Sequence, residues 1–262
     1  MLQVADLPLE NARVYTQQMH STAIEQVIQT MREHLAEPLS LEDMSDIACL
    51  SPFYFNRIFR RTIGLPPGEF LSALRLDAAK RLLLTTDLSI TDICFEVGYI
   101  GLGSFTTRFT QQVGVPPRLL RHLARNTTLT VSRPLEDAPV TTARSLPALA
   151  GSIQAPSPFQ GDIFIGLFPK PVPQGRPVRC TMLHTPGFFC IDSVPVGTYF
   201  LLVAAFPRSS DPHTYLLPPA SLLVGSAGPL SFRDKQAIIT AEVRLRPWRP
   251  TDPPIIAALP FL

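Results

Sequence analysis

The chain has 262 residues, of which 45% are hydrophobic and 17% charged, a balance that excludes intrinsic disorder and leaves room for two folded domains. A net charge of +2 neither demands nor excludes a polyanionic partner, so any case for one must come from where the charges stand. The four cysteines contain no C-x-x-C pair, which argues against a disulfide framework or a structural zinc site and for reduced thiols. The longest apolar run, Tyr199 to Phe206, is far shorter than the roughly 20 residues of a membrane-spanning helix. The stretch from Met1 to Glu10 lacks a basic start and an apolar core, so the expectation is a cytoplasmic protein with no membrane partner.

Proline divides the chain. Residues 1–125 hold seven of the 28 prolines, residues 126–145 two, and residues 146–262 the remaining nineteen. Because proline inside a helix costs about 3 kcal/mol, the second half must rely on short strands and turns. The resulting division is a tail over 1–20, a helical domain over 21–125, a linker over 126–147 rich in Thr, Ser, Ala and Pro, and a β domain over 148–262.

In chain order, Thr22 with Glu25 reads as a capping box that starts the first helix, with Ile24, Val27, Ile28, Met31 and Leu35 on one face and Pro38 closing it. Ser40 with Asp43 starts a short second helix carrying Leu41, Met44, Ile47 and Ala48. After a turn through Cys49 and Leu50, Ser51 caps a third helix with Pro52 in its first position. Gly68 to Thr85 is helical in pattern, about 27 Å of rigid spacer.

This grammar repeats. Ser40, Leu41, Asp43, Met44, Ala48 and Leu50 match Ser89, Ile90, Asp92, Ile93, Val97 and Tyr99 at a shift of 49. Past one inserted residue, Phe55, Phe59, Gly64, Pro66 and Pro67 match Phe105, Phe109, Gly114, Pro116 and Pro117 at a shift of 50. Each copy is a capped helix, a tight turn, a second helix and a glycine stop, the pattern of a helix-turn-helix. From Ile24 to Arg125 the chain resembles the AraC/XylS family of bacterial transcription regulators, most specifically in Ser89–Tyr99, Ser104–Phe109 and Gly114–Pro117. That resemblance implies double-stranded DNA binding, control of the transcription machinery and an attached sensing domain.

On the helix from Pro52 to Arg61, Phe55, Ile58 and Phe59 form the inward stripe, leaving Phe53, Asn56, Arg57 and Arg60 outward. Arginine can grip guanine, asparagine adenine, and a phenyl ring the thymine methyl. The family places this face in the major groove, so Phe53, Asn56 and Arg57 are the expected base contacts, with Ser51, Arg60 and Arg61 on phosphates. In the second copy Thr106 and Thr107 stand where Asn56 and Arg57 do, with Arg108 one position later, so this copy is expected either to read bases weakly through the two threonines or mainly to hold the backbone. Gly103 and Ser104 are expected to open that helix, with Ser104, Arg108 and Arg118 on phosphates. Arg118, Arg121 and Arg125 form a basic cluster that either adds phosphate contacts or solvates the last helix. Ser21 to Arg125 carries eleven basic and eleven acidic residues, so the acids must lie off the DNA face.

From Gly151 onward, strands are expected over Asp162–Phe168, Val178–Leu183, Thr198–Phe206 and Ala237–Leu245. Gly187 to Phe200 resembles the Pro-x-Gly-x-Tyr hairpin of carboxypeptidase-regulatory or transthyretin-like domains, implying an all-β immunoglobulin-like or transthyretin-like sandwich. Gly225-Ser-Ala-Gly228 is not a nucleophile elbow, and no catalytic constellation appears. Cys180, His184 and Cys190 fall outside zinc spacing and read as cysteines on strands. Tyr199, Tyr215 and Trp248 either line a ligand cavity or fill the core. The expectation is a multidomain DNA-binding regulator, not an enzyme, with no cofactor or metal. Its β domain senses a small-molecule effector or forms a homodimer; the alternative is a scaffold with weak nonspecific DNA affinity.

Overall fold

The first helix, α1 (Leu9–Glu33), begins well before Thr22, whose hydroxyl donates to the Gln18 carbonyl at 3.1 Å instead of capping a terminus. The expected start at Thr22 is therefore wrong: a threonine inside a helix satisfies its hydroxyl on the preceding turn, and the same residue type suits both places. The computed structural model describes residues 9–126, 147–156, 158–209, 213–233 and 238–259, so nearly all of the expected linker lies outside the described residues. By contact the chain forms two compact units, Met1–Arg75 with Pro250–Pro253, and Leu76–Arg249 with Pro254–Leu262.

In the first unit, helix α2 (Leu41–Ile47) opens on a reciprocal capping box: Asp43 N–H donates to Ser40 Oγ at 3.1 Å and Ser40 N–H to Asp43 Oδ2 at 2.8 Å. The Ser40 backbone N–H first, and the Ser40 side chain second, hold the Asp43 carboxyl below its ordinary range. Cys49, at φ 54, makes the turn into α3 (Pro52–Ile63). Ser51 occupies the cap position of α3 with extended backbone, but its side chain makes no capping bond; Pro52 starts the helix unaided. Gly64, at φ 86, ends it in the left-handed region. Ile24, Val27, Ile28 and Met31 of α1 pack with Met44, Phe55 and Phe59, and with Phe70, Leu71 and Leu74 of α4 (Pro67–Thr85), in one buried cluster. Arg75 donates to the carbonyls of Leu35 and Glu37 at 2.8 and 2.7 Å, tying the loop before α2 to α4.

The second unit repeats the helical plan. Helix α5 (Ile90–Glu96) carries the same capping box from Ser89 and Asp92, Gly98 at φ 83 makes the turn, and α6 (Leu102–Val113) ends on Gly114 at φ 96. Gly101 is the cap of α6, so Gly103 and Ser104 lie within its first turn and do not open it; the Ser104 hydroxyl donates back to the Gly101 carbonyl at 2.8 Å. Phe105 and Phe109 are fully buried, 5.6 Å apart, with Tyr99 edge-on to Phe105 at 5.3 Å. Helix α7 (Pro117–Asn126) closes this part.

The remainder of that unit is β-rich: β1 (Pro147–Gln154), β2 (Gly161–Phe168), β3 (Arg179–Leu183), β4 (Phe188–Asp192), β5 (Gly197–Pro207), the short helix α8 (His213–Leu216), β6 (Leu223–Phe232), β7 (Ile239–Arg244) and β8 (Arg246–Pro247). They form two sheets, ordered β4-β1-β7 and β3-β2-β5-β6-β8, with β1 and β7 parallel and the other pairs antiparallel. Leu149, Ile153, Phe189, Ile191 and Val243 of the smaller sheet share one core with Ile163, Ile165, Leu167, Leu201 and Val203 of the larger. Phe164, Ala204 and Phe206, alternating with these, enter a second cluster with Tyr215 and Ile255 on the opposite face. Cover on both faces explains why Tyr199–Phe206 is apolar without alternation.

Candidate nucleic-acid interface

On α3 the inward stripe is as expected, with Phe55, Ile58 and Phe59 at most 6% exposed. Phe53 is 80% exposed, an unusual place for a phenyl ring, and Arg57, Arg60 and Arg61 are exposed beside it. Asn56 is half-buried, and Ser51 is exposed at the helix start. The Arg57 guanidinium lies over the ring of Tyr54, whose hydroxyl pairs with His20 Nε2 at 3.3 Å. Arginine, asparagine and phenyl thus share the amino-terminal two turns of one helix, a surface that offers bidentate donors and an apolar contact together.

On α6, Thr107, Arg108 and Ser104 are exposed and Thr106 is half-buried, its carbonyl accepting from the Thr110 hydroxyl at 2.7 Å. Arg118 is exposed on α7. Its two sequence neighbours in the basic cluster have a different task. Arg121 donates to the carbonyls of Leu83 and Leu88 at 3.1 and 2.8 Å, and Arg125 pairs with Asp87. An arginine of the helix that follows each pair thus reaches back to the loop that precedes it, Arg75 in the first unit and Arg121 in the second. At the 50-residue shift Arg75 matches Arg125, which pairs with Asp87 in the loop before the second pair, whereas Arg121, which makes the carbonyl bonds there, falls opposite Leu71 and carries no signal in the repeat.

In the β-rich part, Cys180 stands on β3 in one sheet and Cys190 on β4 in the other, both exposed as free thiols. His184 is engaged by Asp162, Nδ1 to Oδ1 at 2.8 Å, and the other oxygen of that carboxylate accepts from the buried Tyr215 hydroxyl. Tyr215 and Trp248 belong to the cluster around Phe206, so both serve as core, and the Tyr199 hydroxyl donates to the Val196 carbonyl at 3.3 Å. Among the described residues no helix is long and apolar enough to cross a membrane.

Residues 44–123 match the family described as a helix-turn-helix domain. The transcriptional activator AarP of Providencia stuartii is 30% identical over 115 residues, which cover 44% of this chain and 84% of that protein. The uncharacterized HTH-type transcriptional regulator YobQ of Bacillus subtilis is 34% identical over 105 residues, 40% of this chain and 42% of YobQ. The paired helices and these relatives define a DNA-binding protein of the helix-turn-helix class, concerned with regulation of transcription. The chain belongs to the AraC family of such regulators. Among solved structures, the DNA-binding domain of AdpA in complex with a target DNA is similar over 40% of this chain and 96% of that one, at 29% identity and a TM-score of 0.38.

Proposed function

We propose that the chain is a sequence-specific DNA-binding transcription regulator whose two helix-turn-helix units occupy adjacent major grooves, with the first dominating base recognition. The observation that carries this reading is the outward face of α3, where Phe53, Asn56 and Arg57 stand beside the exposed Arg60 and Arg61. Phe53, Asn56 and Arg57 contact bases, joined more weakly by Thr106 and Thr107 on α6; Ser51, Arg60, Arg61, Ser104, Arg108 and Arg118 hold phosphates. The two sheets form a sandwich of immunoglobulin-like or transthyretin-like kind, a reading supported by the core they share; the segment 187–200, expected as a hairpin, instead crosses from β4 in the smaller sheet to β5 in the larger, and the two strands do not pair. It serves as the sensor of a small-molecule effector or as the dimerisation domain, and the regulator acts on the transcription machinery.

Affinity of the full chain for a set of genomic fragments, followed as salt is raised, tests the reading. A regulator binds a subset of fragments about a thousandfold or more above the rest, with a residual preference at higher salt. Uniform, salt-sensitive binding to every fragment would sink it and favour the scaffold with nonspecific DNA affinity.

A further inference from the structure

A helix leaves its last four carbonyls without partners inside the helix, and α6 has an unusual answer to that need. The Gln112 carbonyl accepts from Gly175 N–H at 2.5 Å and the Val113 carbonyl from Ala258 N–H at 2.9 Å, so two separate segments of the β-rich part cap the second recognition helix. At the end of α7, His213 Nε2 pairs with the Ala124 carbonyl at 3.3 Å. Gly175 sits at φ +66, and a Cβ there would meet the Gln111 carbonyl at 2.9 Å, so this approach requires glycine.

The segment that carries Ala258 is itself locked in place. Ile256, Ala257 and Ala258 are completely buried, and the amides of Ile256 and Ala257 both donate to the Pro173 carbonyl, at 3.2 and 3.0 Å. Lys80 of α4, only 1% exposed, donates its ammonium to the carbonyls of Ile255 and Ile256, with Asp77 Oδ1 at 3.6 Å. A lysine ammonium is rarely buried so deeply, and here its protons are spent on the backbone of a segment 175 residues away in sequence.

We propose that the β-rich part is the positioning element of the second helix pair: Lys80, Gly175 and residues 254–259 clamp the carboxy-terminal turn of α6 and leave Ser104, Thr107 and Arg108 presented at its other end. Lys80 and Gly175 are positioning residues, remote from the face that meets DNA. The consequence for DNA rests on the function proposed above: with the clamp released, α6 ceases to contribute to base preference, so a molecule that displaces residues 254–259 would switch the second unit off without touching the first.

The test uses the full chain with Lys80→Met and, separately, Gly175→Ala, which alters only the loop that meets α6. Amide hydrogen exchange and far-ultraviolet circular dichroism are compared with binding to the tightest fragment of the genomic set and to copies scrambled in either half. The clamp predicts retained helix content and exchange at Gly114, Gly175 and Ala258 faster by about tenfold or more. In both variants, scrambling the half-site of the second unit then costs at most about twofold, while scrambling the first half-site still costs what it does in the parent. Unchanged exchange in both variants overturns the clamp. Faster exchange with parental discrimination in both half-sites overturns its part in DNA reading. A parent that distinguishes no fragment overturns the proposed function instead, and exchange alone then decides the clamp.

Discussion

The guanidinium carbon of Arg57 stands 5.0 Å from the centre of the Tyr54 ring, three residues earlier on the same exposed end of α3. The ring restrains the arginine side chain, which under the function proposed above would fix its approach to a base edge. Arg57→Ala is expected to lose about 1–3 kcal/mol of binding with relaxed preference at one base position. Tyr54→Leu keeps the charge and loses less, about 0.5–1 kcal/mol. Binding titrations against single-base operator variants check both, and an Arg57→Ala protein with parental base preferences would remove Arg57 from the readers.

The capping boxes give a stability prediction with a pH signature. Ser40→Ala removes the acceptor for Asp43 N–H and should cost about 1 kcal/mol in urea unfolding. The Asp43 carboxyl is held below its usual value of 3.8 by bonds from Ser40, so its contribution is complete above that value and lost as pH falls through the lowered one. The difference between parent and Ser40→Ala should therefore narrow in acid. A gap that stayed constant to the lowest pH at which the protein remains folded would show that the Ser40 hydroxyl does not act on the carboxylate and that only the backbone N–H of residue 40 does.

Tyr215 offers a spectroscopic handle on the β-rich part. Burial first, then its hydrogen bond to Asp162 and the charge of that carboxylate, push its phenol up to about 12. The neutral phenol is favoured in the folded state, so its stabilisation is full below the ordinary value of 10.0 and is lost as pH rises through the folded one. Near-ultraviolet difference titration should find one tyrosine ionising late. Asp162→Asn should bring that step down toward the ordinary value, and an unmoved step would detach Tyr215 from Asp162.

Phe59 joins α3 to the first core, 5.6 Å from Phe55 and 5.7 Å from Phe70, with no exposed surface. Phe59→Ala should cost about 3–5 kcal/mol by denaturant unfolding and weaken DNA binding through loss of the helix, at fragments of every sequence alike. A stable variant with altered base preference alone would contradict the placement of Phe59 in the core.

Much of the helical half was legible because its signals are local. A serine three residues before an aspartate marks a helix start, aromatic residues at four-residue spacing mark a buried stripe, and a glycine before Pro-Pro marks a stop. The repeat printed each signal twice. The strands over 161–168 and 197–207 were legible for a similar reason, as runs of β-formers between turn residues. Strands β1 and β6 were not. β1 is rich in small residues and is held by β4 and by a parallel β7 about ninety residues on, while Gly228 and Pro229 interrupt β6.

The sequence by itself determined where the two helix pairs start, turn and stop and, apart from the half-buried Asn56, which side chains of α3 face outward, since these follow from backbone capping and helical periodicity within a few residues. Only the tertiary structure decided what the remaining basic residues do. Arg75, Arg121 and Lys80 carry the charge expected of a DNA-binding surface, yet each is spent on main-chain carbonyls of segments distant in sequence. A cation's partner depends on which carbonyls the fold leaves unpaired beside it, and no local pattern of residues encodes that.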